Sequence, residues 1–113
     1  MHIQINTDSN IEGHEKITEH FKNVLKNALD QFLDRITRLE VHLSDENSHK
    51  KGVEDKRCLI EARLEGMKPL AVTHKAETLD HAVDGAIKKL KSMLDRNLKQ
   101  QQKRSSRITD YLK

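Results

Sequence analysis

The chain has 113 residues, 35% of them apolar and 35% charged, with a single cysteine and a single proline. That suffices for one domain around one small core; it excludes an internal disulfide framework, and no apolar run is long enough to span a membrane. The formal charge of +3 hides a split: residues 86–113 hold nine Lys/Arg against Asp95 and Asp110, a net +7, whereas residues 1–85 hold twelve basic and sixteen acidic residues, a net −4.

Ile3 and Ile5 alternate with His2, Gln4 and Asn6, the period of a half-buried strand, which ends in the turn-forming Thr7-Asp8-Ser9-Asn10. This start has neither the basic residues nor the apolar stretch of a signal peptide, so a soluble, cytoplasmic protein is expected. A helix is predicted from about Gly13 to Leu33. Its apolar residues Ile17, Phe21, Val24, Leu25, Ala28, Leu29, Phe32 and Leu33 recur at three- and four-residue steps and form one stripe. Glu12 and Glu15 lie near its start, where the helix dipole favours negative charge. In the next strand Leu39, Val41 and Leu43 point one way and Arg38, Glu40 and His42 the other.

Residues Ser44 to Asp55 are almost wholly polar and read as a long, mobile hairpin loop. A third strand spans Lys56 to Glu65, with Cys58, Ile60, Ala62 and Leu64 inward; Leu59 falls on the outer parity. Gly66-Met67-Lys68-Pro69 makes a turn, since Pro69 cannot continue a ladder. Leu70 to Ala76 forms the fourth strand. Thr78 is a good N-cap for a second helix whose stripe is Leu79, Ala82, Val83, Ala86, Ile87, Leu90, Leu94 and Leu98. No apolar residue follows between Lys99 and Arg107, so residues 1–98 are expected to form the folded domain and residues 99–113 a frayed or disordered basic tail. The expected fold is α+β, β-α-β-β-β-α: a four-stranded mixed sheet with both helices on one face and the other face wet.

The charge of the second helix is ordered. With Leu90 at zero and about 100° per residue, the apolar stripe spans about −60° to +80°, and Lys88, Lys89, Arg96, Lys99 and Lys103 cluster between about 160° and 260°. Cations repeated by helical turns can replace the condensed counterions of a phosphate backbone. An ordinary solvated helix would carry glutamates four residues from its lysines, and this one mostly lacks them. Lys91 and Arg104 add to the same basic segment. Lys22 and Lys26 on the first helix, and Arg38, Arg63 and Lys75 on the wet sheet face, are further candidates for nucleic-acid contact. Cross-strand ion pairs account for the sheet residues at least as well.

Other chemistries find little support. Seven histidines show no metal-ligand spacing, Cys58 has no cysteine partner, and four scattered glycines make no phosphate loop. No catalytic residue, metal, cofactor or small-molecule substrate is expected. Base stacking on the sheet needs aromatics, and of Phe21, Phe32 and Tyr111 two are buried by helical phase, so recognition would rest on backbone charge and RNA shape.

Leu33-Asp34-Arg35-Ile36 leading into Leu39-Glu40-Val41-His42-Leu43, and Thr78-Leu79-Asp80-His81-Ala82-Val83-Asp84-Gly85-Ala86-Ile87-Lys88-Lys89-Leu90, resemble the first-helix exit and second-helix signature of the ribosome hibernation-promoting factor family. Its members are also called ribosome-associated inhibitors or ribosomal subunit interface proteins. The resemblance covers about Met1 to Leu98. It implies a fold similar to double-stranded-RNA-binding domains, and a factor that occupies the rRNA-lined mRNA/tRNA channel of the small ribosomal subunit and inhibits translation under stress or in stationary phase. Family basic positions carry over to Lys89 and Arg96. His81 stands where members often have Tyr, and Ser92 where Arg or Lys is common, with Lys91 beside it. The long family form adds a C-terminal dimerisation domain that this chain is too short to hold, so a short form, monomeric off the ribosome, is expected. The alternatives are a free double-stranded-RNA-binding protein or RNA chaperone, and a module whose basic helix meets an acidic protein.

Overall fold

The computed structural model describes residues 1–9, 11, 13–46 and 55–112, with side chains described as far as Gln100. Strands β1 (His2–Thr7), β2 (Ile36–Asp45), β3 (Lys56–Leu64) and β4 (Leu70–Ala76) form one sheet in that spatial order. β1 runs parallel to β2, and the other two pairs are antiparallel. Helices α1 (His14–Ala28) and α2 (Leu79–Leu112) complete the predicted β-α-β-β-β-α order. Alternation explains the layering: Leu39, Val41 and Leu43 of β2 and Cys58, Ile60 and Ala62 of β3 are buried against Phe21, Leu25, Val83, Leu90 and Leu94 of the helices. α1 packs on β1, and α2 covers β3 and β4.

Three local departures from the predicted elements have physical causes. α1 stops at Ala28 rather than Leu33, and Asp30–Phe32 tighten into a single 3-10 turn. Its hydrogen bonds, Phe32 N–H to Leu29 O and Leu33 N–H to Asp30 O, keep Phe32 buried while turning Leu33 out to 40% exposure. Next, the β2–β3 register slips between Ile36 and Arg38, where Thr37 is the extra residue and its hydroxyl donates to the Arg63 carbonyl at 3.0 Å. This bulge lets both Ile36 and Leu39 face inward despite their odd spacing. Lastly, Ser44 and Asp45 belong to β2, not to a loop. The rest of that expected loop, residues 47–54, lies outside the described residues.

α2 begins as predicted: Thr78 accepts the His81 N–H on its hydroxyl at 3.1 Å. The helix continues to Leu112, past the point where the polar run predicts fraying. Among the described side chains Leu98 is the last that packs on the core.

A close approach fixes the middle of α2. A Cβ on Gly85 would run into the ring of His74, which reaches up from β4 under the helix. His74 therefore faces the helices beside Cys58, its cross-strand neighbour, whereas His42 lies on the other parity. Gly85→Ala is expected to cost about 1–2 kcal/mol, overpacking outweighing the better helix propensity of alanine. In a His74→Ala background the same change should instead stabilise slightly. Thermal melts of the four variants check both signs.

Candidate nucleic-acid interface

The contact between the helices fixes which flank of α2 faces which neighbour. His20 Nε2 of α1 lies 3.3 Å from Asp80 of α2. By helical phase Asp80, Asp84, Lys91, Asp95 and Lys88 share that α1-facing flank, between about 80° and 160° from Leu90. All three acids of residues 80–95 are there, and Lys88 is drawn into an i,i+4 ion pair with Asp84 at 3.1 Å.

The opposite flank has no acids. Lys89 and Arg96 point over β4, the open edge of the sheet, and Lys99 follows on the outermost side. Lys89 Nζ donates to the Thr73 carbonyl at 2.8 Å, which anchors the start of the row to the sheet edge. All three are exposed, and among the described residues none forms an ion pair. At about 1.5 Å rise per residue, Lys89 and Lys99 stand roughly 15 Å apart along the axis. The side chains of Lys103 and Arg104 lie outside the described residues.

The remaining candidates sit elsewhere. Lys22 and Lys26 are on the flank of α1 opposite to His20, away from α2, where they border a surface hollow together with Glu15 and Glu19. Arg38, Arg63 and Lys75 are on the exposed sheet face, across the sheet from both helices. The structure therefore does not gather the twelve candidates into one surface.

The register bears out cross-strand ion pairs only in part, because directly opposed positions carry like charges. Arg38 stands opposite Arg63, Glu40 opposite Glu61 and Arg57 opposite Lys75, each a like-charge pair. The cross-strand pairs are diagonal: Glu46, just past β2, reaches Lys75 of β4 at 3.0 Å and Arg57 of β3 at 3.8 Å, while Arg38 pairs along its own strand with Glu40 at 2.9 Å. These exposed pairs are each worth well under about 1 kcal/mol.

Burial pushes the Cys58 thiol from 9.0 up to about 12, so it stays protonated and unreactive despite its histidine neighbour. Among the described residues no cluster of His, Cys, Asp or Glu is placed to hold a metal ion, and no helix is long and apolar enough to cross a membrane. The raised thiol pKa has a consequence for stability. Above about pH 9 the unfolded thiol ionises while the buried one does not, so folding loses about 1.4 kcal/mol per pH unit until about pH 12. Melts between pH 9 and 10.5 are expected to fall accordingly in the native chain and to stay nearly flat in Cys58→Ala.

Sequence reasoning missed one polar cluster. Asp45 and Asp55, at the mouth of the hairpin, are buried, and Lys56 bridges them at 3.2 and 3.1 Å. Asp45 N–H also donates to Asp8, and Glu46 N–H to the Asp55 carbonyl. An aspartate near each end of the polar run, with a lysine beside one, is the sequence signal. It is too common to stand out.

Comparison with known proteins agrees with the fold. The family model described as "Sigma 54 modulation protein / S30EA ribosomal protein" matches residues 3–102. The crystal structure of the Thermus thermophilus Protein Y N-terminal domain superposes with a TM-score of 0.65 at 23% identity, covering 85% of this chain and 98% of that one. A ribosomal subunit interface protein from Coxiella burnetii gives a TM-score of 0.63 at 16% identity, with 86% and 97% coverage. At these identities the two structures establish a shared fold. A search of curated proteins finds no match.

Proposed function

Since the chain belongs to the Sigma 54 modulation protein / S30EA ribosomal protein family, a family of ribosome-associated proteins, we propose that it is a non-catalytic cytoplasmic factor that binds rRNA of the small subunit and silences idle ribosomes by occupying the mRNA/tRNA channel. The observation that carries this reading is the acid-free row Lys89, Arg96 and Lys99, exposed on a helix whose other side is locked into the core. A rigid α-helix holds these charges at fixed intervals, so little backbone freedom is lost when phosphates replace their counterions. Beyond Lys99 the sequence adds Lys103, Arg104, Arg107 and Lys113 against the single acid Asp110. Lys88 and Lys91, on the α1-facing flank, supply long-range attraction more than direct contact.

Phosphate contact has a measurable signature. If about six phosphates are engaged, log K for ribosome binding should fall against log salt with a slope of about −4 to −5. Fluorescence anisotropy of the labelled chain with purified small subunits, between 50 and 300 mM KCl (an order-of-magnitude window), gives that slope. A slope near zero would remove the electrostatic basis of the proposal. Equal affinity for a plain RNA duplex would instead make the chain a general double-stranded-RNA binder.

A further inference from the structure

The exposed sheet face carries a charge order that phosphate binding does not use. Going along the strands it is banded: Arg38 and Arg63, then Glu40 and Glu61, then His42 and Leu59, then Arg57 and Lys75, and finally Glu46. Directly opposed like charges weaken a sheet, and a face shaped only for its own stability would set opposite signs across each row. A phosphate chain laid on this face would meet the glutamate band between two cationic ones. The order is positive, negative, neutral, positive, negative. Turned end for end about the neutral band, it becomes its own complement.

That antisymmetry is what an isologous contact requires, because a two-fold axis brings each band onto its mirror position. We infer that this face docks a second copy of the same chain. The two-fold axis lies in the contact plane at the level of Leu59 and runs across the strands. Arg38 of each copy then meets Glu46 of the other, and Glu61 meets Arg57. Each contact occurs twice. Leu59, half-buried and on the outward parity, meets its symmetry mate at the axis and supplies the apolar centre. The intramolecular ion pairs that must be exchanged, Arg38–Glu40, Arg57–Glu46 and Lys75–Glu46, all reach water in part and are weak, and Arg38 keeps its hydrogen bond to Gln4.

With strands about 4.8 Å apart and about 3.3 Å per residue, the banded area is roughly 400–500 Å² per copy. That is the low end for a specific interface, so the dimer is transient, with a Kd on the order of 10–100 μM. Both Lys89–Lys99 rows remain uncovered, because they lie beyond the far side of the sheet.

The test uses the full chain. Leu59→Cys places a thiol at the axis, and Ser92→Cys, exposed on α2, serves as the control; Cys58 is buried and stays a spectator. Under mild oxidation the Leu59→Cys chain should form a covalent dimer at least about tenfold faster than the control. In sedimentation equilibrium, Glu61→Arg and Arg57→Glu should each weaken association about tenfold, and the two together should restore it to within about threefold. A chain that stays monomeric at millimolar concentration, equal cross-linking of the two cysteine variants, or no restoration by the double exchange overturns the inference. Ribosome co-sedimentation of the same variants is expected to be unchanged. Its loss in the native chain would overturn the proposed function and leave the dimer standing.

Discussion

Lys89→Glu combined with Arg96→Glu lowers affinity for small ribosomal subunits about 100-fold or more, while the melting temperature moves by only a few degrees. Charge-assisted contacts are worth about 1.5–3 kcal/mol each, and losing two of them gives about 3–6 kcal/mol, a factor of about 10² to 10⁴. Reversal also brings carboxylates toward phosphates and removes about two contacts from the salt slope. Stability should be nearly spared because both side chains are exposed and only one makes a described hydrogen bond, that of Lys89 to the edge carbonyl of Thr73. Lys88→Glu combined with Lys22→Glu is the control. Those residues carry the same formal charge but lie on other flanks, so their reversal should cost far less. Co-sedimentation and anisotropy on the two double variants decide it, and equal losses would mean that net charge alone governs binding.

The difference between those double variants marks the boundary of what the sequence shows. Periodicity identified the buried stripe of α2 and the strands correctly, because burial acts on every third or fourth residue of a helix and every second residue of a strand. Helical phase also located the cations of α2 opposite that stripe. The same phase puts Asp80, Asp84 and Asp95 on one flank and leaves the other without acids. It could not say which neighbour either flank faces; that needed the contact between His20 and Asp80, which lie far apart in the chain. Leu33 misled for a similar reason: it continues the α1 stripe in phase, and only the 3-10 turn expels it. The sheet face shows the same limit. Parity assigns Arg38 and Arg63 to one side, but their register is set by the bulge at Thr37 and by a hairpin whose middle has no pattern. Like-charge pairing was therefore invisible until strands were aligned.

Lys56→Met is expected to destabilise the fold by about 2–3 kcal/mol, the largest stability effect of a single change outside the apolar core. Lys56 holds two carboxylates, Asp45 with 10% and Asp55 with 4% of the side chain exposed, and its removal leaves both buried beside each other. Breaking a fully buried pair costs about 3–5 kcal/mol; the lower figure applies because a quarter of the Lys56 side chain still reaches water. Hydrogen bonding to Asp55, then to Asp45, with their charges, outweighs desolvation and raises the Lys56 pKa above its ordinary 10.5. The sign follows from linkage: a group whose folded pKa is raised contributes fully below pH 10.5 and loses that contribution as pH climbs through the folded value. The native chain should thus lose stability above pH 10.5 beyond what Cys58 explains. In Lys56→Met combined with Cys58→Ala, both alkaline losses should vanish, leaving a lower but flatter curve. If instead Lys56→Met melts like the native chain at pH 7, the two aspartates are held by Asp8 and the backbone alone, and the hairpin mouth does not depend on its lysine.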